Sequence, residues 1–588
     1  MVAPHVLNVE PPEESNAIGD PSDATRMEGV VFDGHRGWLH LPQTHSPLLA
    51  TIVFCQPLGR EARNAHRSIW LLANRLASSG FAVLRYDHLG TGESLPLPDE
   101  VDAWQQWLRG VEKAVEFAQA ATNAGTLVLG GVRMGASLAA IAATRVRADA
   151  LLLLAPVIKG RPWLRELQFA TALLRGHSPG NDAGLGLNAD GLWLSPQTLE
   201  SMAKLDLGEL DSTSPSVFIA SRGDATSLQE RLSDLGAAID FESFEGYGEL
   251  FQEAYLNEPP DALFRRIASW LLCLSVNWPP VTMTEPIASA RLTVIGGEER
   301  AVSFGNGLRG VLCTPVDVVG EKKAVIFVNT GGDSRAGIGG FAVEASRELC
   351  NHGIAALRFD FAGLGDSAFS DGWRSHIYET PRDEDFVAAV ALLAAEDISC
   401  ITVAGVCSGG YHALEIACRN ERIAAAYAVN AAILVWRAGD SLTQSATMEG
   451  SSQPWLRNIG RHLSSRNQWR RIFNGEIRWR SALTNISSGL LRRWIARLDR
   501  KQTRTFRASM RQLSMRGGQA RVVVGAFDSS LDELETHFDR DGAWFAKLPG
   551  MSVGIIDGLD HGLFFRESRR IALEDLLSFV ERVSSAPA

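Results

Sequence analysis

Three residues in this chain have the type and spacing to do chemistry: a cysteine set between glycines, an aspartate and a histidine. The cysteine lies in Ile401-Thr402-Val403-Ala404-Gly405-Val406-Cys407-Ser408-Gly409-Gly410. This short, β-branched apolar stretch turns through glycines into Tyr411-His412-Ala413-Leu414-Glu415-Ile416-Ala417, which reads as a helix. Strand, Gly-x-nucleophile-x-Gly, helix is the pattern of a nucleophile elbow. The turn is so tight that the residues two before and two after the nucleophile must be nearly free of side chain. Gly405 and Gly409 meet that need around Cys407, whereas centring the turn on Ser408 would put Val406 at a forbidden place. Asp528 closes the strand-like Arg521-Val522-Val523-Val524-Gly525-Ala526-Phe527, and His561 follows Ser552-Val553-Gly554-Ile555-Ile556-Asp557 by a short turn. Nucleophile, acid and base thus come in that order, each at the carboxyl end of a strand, where open α/β sheets place their sites. The box alone is also compatible with a glycine-rich turn holding a buried, inert cysteine. With both partners present, the expectation is a triad of Cys407, Asp528 and His561.

In such a triad His561 takes the Cys407 proton, a thiolate–imidazolium pair forms, and Asp528 orients the imidazole. The oxyanion donors expected are the backbone N–H of Ser408 and one from the turn at Gly331 or Gly332. Those two glycines also fit an ordinary strand-to-helix turn. His412, one turn into the helix, reads as a packed side chain rather than a base. Attack on an acyl carbonyl gives an acyl-thioester enzyme. Water releases it in an esterase or thioesterase; an alcohol or amine releases it in an acyltransferase. A non-catalytic scaffold is the reading from a different class.

The elements that must position these residues occur twice. Val325-Ile326-Phe327-Val328-Asn329-Thr330-Gly331-Gly332 is answered by Val53-Phe54-Cys55-Gln56-Pro57-Leu58-Gly59. Residues 357–367 (LRFDFAGLGDS) are answered by residues 84–94 (LRYDHLGTGES), with Asp360 and Asp87 standing 273 positions apart. Gly131-Val132-Arg133-Met134-Gly135 answers the elbow at an offset of 274. Each copy alternates strand and helix patterns, including strands near 126–132, 150–155 and 217–220 in the first. The fold class expected is therefore α/β: two tandem domains, each a mostly parallel sheet covered by helices, with a helical cap insertion. The divisions expected are a flexible arm over residues 1–25, a first domain over 26–276 with its cap at about 156–215, a linker over 277–290 around Trp278-Pro279-Pro280-Val281, and a second domain over 291–588 with its cap at about 430–519.

The copies differ where the chemistry would be. In the first, Arg133 takes the nucleophile position, Asp224 the acid position and Glu249 the base position. A guanidinium is always protonated and cannot attack an acyl carbon. Arg133 either pairs with Asp224 or Glu249 in a small turn or forms an anion-binding pocket.

These motifs resemble the α/β-hydrolase superfamily over nearly the whole chain after residue 25. The Asp-x-x-Gly-x-Gly-[Asp/Glu]-Ser stretch at 360–367, and its twin at 87–94, resembles the serine-aminopeptidase-like branch. Pro156-Val157-Ile158-Lys159-Gly160-Arg161 with Glu166-Leu167 is similar to hydrolases found beside bacterial exopolysaccharide genes. A cysteine in the elbow, in place of the usual serine, is similar to dienelactone hydrolases and to polyhydroxyalkanoate synthases, whose Gly-x-Cys-x-Gly-Gly box matches residues 405–410. Neither of those families has this length or tandem plan, so no substrate carries over.

Composition bounds the remaining choices. The chain has 588 residues, more than one core accommodates, with 45% hydrophobic and 21% charged residues, the balance of globular domains. Residues 1–26 lack the basic stretch and apolar core of a signal peptide. Seven cysteines, an odd number without metal-ligand spacing, fit free thiols in a cytoplasmic protein without metal or other cofactor. A net charge of −11 argues against general binding of polyanions, and no nucleic-acid motif is present. Residues 457–516 run against that total. They hold 15 arginines and one lysine against Glu476 and Asp499, a local balance of +14 that leaves −25 for the remainder. Trp455, Trp469, Trp479 and Trp494 are interleaved. Leu491, Trp494, Ile495 and Leu498 fall at helical spacing. Two readings stand: a cap helix with a solvated basic face, or recognition of an anionic partner by Arg492, Arg493 and Arg497. The partners that fit the second are an anionic acyl ester or thioester, a phosphopantetheine carrier protein, an acidic glycan or an anionic membrane surface.

Overall fold

The computed structural model describes residues 25–43, 47–175, 186–282, 291–368, 377–378, 382–436 and 500–584. The first copy runs β1 (Thr25–Phe32), β2 (His35–Pro42), β3 (Ala50–Cys55), β4 (Phe81–Tyr86), β5 (Leu127–Val132), β6 (Ala150–Leu154), β7 (Leu187–Ala189), β8 (Leu192–Leu194), β9 (Ser216–Ser221) and β10 (Ala238–Ser243). Among the described residues its main sheet has the order β1-β2-β4-β3-β5-β6-β9-β10. The second copy runs β11 (Arg291–Val294), β12 (Gly297–Phe304), β13 (Leu308–Pro315), β14 (Lys323–Phe327), β15 (Ala355–Asp360), β16 (Cys400–Val406), β17 (Ile423–Val429), β18 (Gln519–Gly525) and β19 (Met551–Ile556). Its sheet has the order β11-β12-β13-β15-β14-β16-β17-β18-β19. The two orders superimpose, with β11 added at one edge.

The central strands are buried on both faces, as their unbroken apolar runs require. Alternation then assigns residues to opposite layers. Ala324 and Ile326 of β14 join one core cluster, and Val325 and Phe327 join the other. Ile52 and Phe54 part from Val53 and Cys55 in the same way on β3. Strands β3 and β14 each have parallel neighbours on both sides, β4 and β5 in one case and β15 and β16 in the other. The chain leaves β14 toward one side and later returns on the other, which opens a crevice at the carboxyl ends of β14 and β16.

The insertion between β6 and β9 is not purely helical. Between the helices Gly160–Arg175 and Pro196–Ala203 it carries the antiparallel hairpin β7–β8. The cause is Asp190-Gly191, whose φ values of +48° and +81° suit a two-residue hairpin turn. The start of the linker lies on the first copy, where Val281 forms an antiparallel bridge with Leu48. The N-terminal arm before Thr25, and residues 283–290 of the linker, lie outside the described residues.

The two copies meet across a buried charged interface with internal twofold character. Arg85 on β4 donates to Asp366 of the second copy (2.7 Å), and Arg358 on β15 donates to Glu93 of the first (3.3 Å). Arg358 and Asp366 are the 273-offset counterparts of Arg85 and Glu93, so each copy presents the same pair to the other. That is the geometry of an isologous dimer, here within one chain. Glu299 collects Arg36, Arg347 and Arg358, and Arg335 reaches Glu93, Asp360 and Asp366. Sharing of this kind offsets the desolvation of so many buried charges, which isolated pairs would not.

Candidate active site

Cys407 caps β16 with φ +52° and ψ −116°, and the helix Ser408–Arg419 starts at the next residue. A side chain with positive φ is strained, and its recurrence at an elbow marks a side chain forced into the crevice. The glycines are required by contact. A Cβ on Gly405 would lie 2.7 Å from Gly409 Cα, and one on Gly409 would lie 2.9 Å from Asn329 O.

The structure brings Cys407, Asp528 and His561 together. His561 Nδ1 lies 2.9 Å from Asp528 Oδ2, and the imidazole also hydrogen-bonds Cys407. Asp528 is braced by the Ser530 N–H (2.8 Å). Burial acts against each charged form, yet the neighbours prevail. The Cys407 thiol is held below its ordinary value by the His561 charge, by the hydrogen bond to His561 and by the Ser408 N–H, which outweigh the upward push of burial. His561 is held well above its ordinary value, because Cys407 and Asp528 overcome its desolvation. Asp528 is lowered, since its hydrogen bonds and the His561 charge exceed the cost of its burial. All three shifts favour the charged forms: thiolate, imidazolium and carboxylate in a row.

The Gly331 N–H, expected to face the substrate oxygen, donates instead to Ser408 Oγ (2.7 Å). Thr330 Oγ1 donates to the Val406 carbonyl (3.0 Å), so the turn after β14 is tied to the elbow at two points. Gly332 lies beyond this tie. His412 is buried, donates Nε2–H to the Ile377 carbonyl (2.7 Å) and is lowered to about 3 by burial, which keeps it neutral and occupied.

Two residues that the sequence did not single out complete the site. The Tyr378 hydroxyl hydrogen-bonds Cys407, and burial beside that thiol holds the phenol well above its ordinary value, as a neutral donor. Its ring stacks on Trp436 (4.9 Å, 8°) and meets Tyr411 edge-on (5.2 Å). Asn430, at the end of β17 with φ +47°, is fully buried. Its Nδ2 donates to the carbonyls of Asp560 (2.9 Å) and His561 (3.0 Å), and its Oδ1 accepts from the Gly525 N–H (2.8 Å). One amide thus fixes the histidine loop to the strand that carries Asp528. Neither role has a local sequence signal, because every partner is remote in the chain.

In the first copy Arg133 caps β5 with φ +53° and ψ −119°, an elbow of the same shape. The expected pairing with Asp224 or Glu249 is replaced by another. Arg133 Nε lies 2.6 Å from Glu61 Oε1 and Nη2 lies 3.3 Å from Glu166 Oε2, because the elbow aims its side chain at the first turn of the helix Arg60–Ser78 and at the insertion. Two carboxylates already answer the guanidinium, which removes the charge surplus an anion pocket needs. Asp224 is exposed and its carboxylate accepts from the Thr226 N–H (2.9 Å); Glu249 is exposed as well. The basic cap residues Arg492, Arg493 and Arg497 lie outside the described residues.

Residues 50–237 match the family model described as serine aminopeptidase, S33, and residues 325–574 match the alpha/beta hydrolase family. The chain belongs to the α/β-hydrolase superfamily. It is a hydrolase-fold protein made of two tandem copies, the second carrying the cysteine elbow. None of the curated proteins compared with it matches. Among solved structures it is similar to Est1E from Butyrivibrio proteoclasticus with ferulic acid bound (15% identity, TM-score 0.32, 42% of this chain and 97% of that one). It is also similar to an acylaminoacyl peptidase from Pyrococcus horikoshii (13%, TM-score 0.34, 53% and 46%). A third is a dienelactone hydrolase from Anabaena variabilis (14%, TM-score 0.29, 49% and 99%). Among the described residues no helix is long and apolar enough to cross a membrane, and no group of three or more His, Cys, Asp or Glu is arranged so that it could hold a metal ion.

Proposed function

We propose that this hydrolase is a cysteine-dependent acyl hydrolase acting on an ester or thioester through an acyl-enzyme on Cys407. The observation that carries the reading is the continuous contact from Asp528 through His561 to a thiol that is already biased toward thiolate. The thiolate attacks the acyl carbon, and a tetrahedral oxyanion forms. The Ser408 N–H, which already bonds Cys407, is one donor for it, and the turn at Gly331 and Gly332 supplies the other, the Gly331 N–H resting on Ser408 Oγ until then. The bond to the leaving oxygen or sulfur breaks as His561 gives that atom its proton. Water then attacks the thioester, His561 takes the proton, and the carboxylic acid leaves with Cys407 restored as thiolate. The neutral Tyr378 hydroxyl stabilises the resting thiolate and orients it.

Acyl transfer to an alcohol or amine is the second reading. It is favoured by the aromatic rings of Tyr378, Tyr411 and Trp436 against the site, which exclude water from an acyl-enzyme. One experiment separates the two. The protein is incubated with a p-nitrophenyl ester or an acyl-coenzyme A and followed by intact mass. A transient Cys407 adduct with release of free acid is expected for hydrolysis. An adduct that persists until an alcohol or amine is added marks transfer. No adduct with any donor, alongside an iodoacetamide-resistant Cys407, overturns both readings and leaves a scaffold.

A further inference from the structure

The first copy reaches into the second copy's site, and the contact is concentrated on the turn after β14. Main chain meets main chain there: a Cβ on Gly332 would lie 2.7 Å from Ala254 C and 2.8 Å from Tyr255 N. Any side chain at 332 would push the first copy away. Tyr255 also packs against the cluster of Ile377, Tyr378 and Tyr411, whose Tyr378 touches Cys407.

The segment that bears Ala254 and Tyr255 is held from within the first copy. Asn64 Nδ2 donates to the Phe251 carbonyl (3.0 Å), and buried Asn257 accepts from Ser68 Oγ. Both donors lie on the helix Arg60–Ser78. The same helix supplies Arg63, which joins Asp333 (3.2 Å), Asp190 (3.3 Å) and Glu253 (3.6 Å). Asp333 directly follows Gly332, and its carbonyl accepts from Asn329 Nδ2 (2.8 Å). Arg63 therefore ties the cap hairpin, the Tyr255 segment and the oxyanion turn through one cation. Its guanidinium also lies 5.6 Å from the ring of Phe564, in the loop that carries His561.

We propose that the first copy is a positioning domain for the second: Arg63 and Ala254 fix the 330–333 turn in register with Cys407, and Tyr255 forms one wall of the acyl pocket. The inference rests on the acyl-enzyme reading above. It assigns a role to a copy that lacks a nucleophile, and it makes acyl preference a property of both copies.

The test separates two reactions of the same thiol in the full-length chain. Iodoacetamide alkylation needs the thiolate alone, whereas acylation by a p-nitrophenyl ester also needs the oxyanion turn and the pocket. Arg63→Met is expected to lower the Cys407 acylation rate about tenfold or more, the cost of a turn displaced by a fraction of an ångström, with alkylation unchanged. Tyr255→Ala, at a half-buried side chain, is expected to raise KM for the octanoate ester about tenfold and to leave KM for the acetate ester near its original value. Tyr255→Phe is expected to restore the octanoate KM. Acylation and alkylation falling in parallel, or acyl preference unchanged in Tyr255→Ala, overturns the inference alone. A wild type whose Cys407 is neither alkylated quickly nor acylated overturns the acyl-enzyme reading and this inference together.

Discussion

The elbows at Arg133 and Cys407 have backbones within a few degrees of each other, φ/ψ of +53°/−119° and +52°/−116°, yet only one is surrounded by groups suited to proton transfer. The difference lies in what faces the tip. Cys407 meets an imidazole backed by a carboxylate, and Arg133 meets Glu61 and Glu166. A second difference sits one strand away. Asn430 and Ala155 both end the strand after the elbow with positive φ, and both donate their backbone N–H to the neighbouring strand, to Val523 and Ala220. Only Asn430 has an amide that can hold a histidine loop. A strained turn is therefore a property of the scaffold, and catalysis needs the remote groups that complete it.

The comparison breaks most sharply at the tips. Cys407→Ala and His561→Ala are each expected to reduce kcat/KM by about a thousandfold or more, with Asp528→Asn costing less, since orientation rather than bond making is lost. Adding Arg133→Cys to Cys407→Ala should recover nothing, because no imidazole was found against that elbow among the described residues. Recovered turnover in the double variant would mean that the elbow suffices. The mutual dependence of the copies comes next. Arg358→Met takes one cation from Glu93 and one from Glu299 inside the interface, leaving Arg335 on the first and Arg36 and Arg347 on the second, and should lower unfolding free energy by about 3 kcal/mol in a denaturant titration. Lys113→Ala, on the surface, should leave the denaturation midpoint unaltered.

Asn430→Ala should lower kcat by about tenfold as the His561 loop loosens, and Ala155→Asn should leave turnover unaltered. Equal effects at both positions would remove the distinction. The titration of Cys407 offers a finer measurement. Its thiol is depressed and His561 is elevated, so alkylation should persist to lower pH than for an ordinary thiol and fall as the thiolate is protonated. Cys55 and Cys418, pushed up to about 12 by burial, should react later. In His561→Ala the profile should move to the alkaline side. The smallest effect concerns the basic insertion, whose counterpart in the first copy, residues 156–215, carries no such positive surplus. Charge reversal at Arg492, Arg493 and Arg497 should raise KM severalfold for an anionic donor at low salt, and added salt should weaken the wild type alike. KM unaltered at both salt levels would return the insertion to a structural cap.

Much of this architecture was legible in one dimension because its causes are local. A tight strand-to-helix turn leaves room only for glycine at 405, 409, 131 and 135, so the elbows declare themselves by spacing. Parallel strands buried on both faces must be continuous apolar runs, so the duplicated sheet shows as a repeat at a fixed offset. The hairpin at Asp190-Gly191 was equally local and was readable as a turn, although the insertion was expected to be helical. Tertiary structure alone decided the rest. Arg133 turns to Glu61, 72 positions back, rather than to Asp224 or Glu249. Arg63 grips Asp333 across 270 positions, Tyr378 meets Cys407 from a separate loop, and Asn430 ties His561 from 131 positions away. Such contacts depend on which strand ends the sheet order brings side by side and on how the two copies dock, and neither leaves a periodicity in the chain.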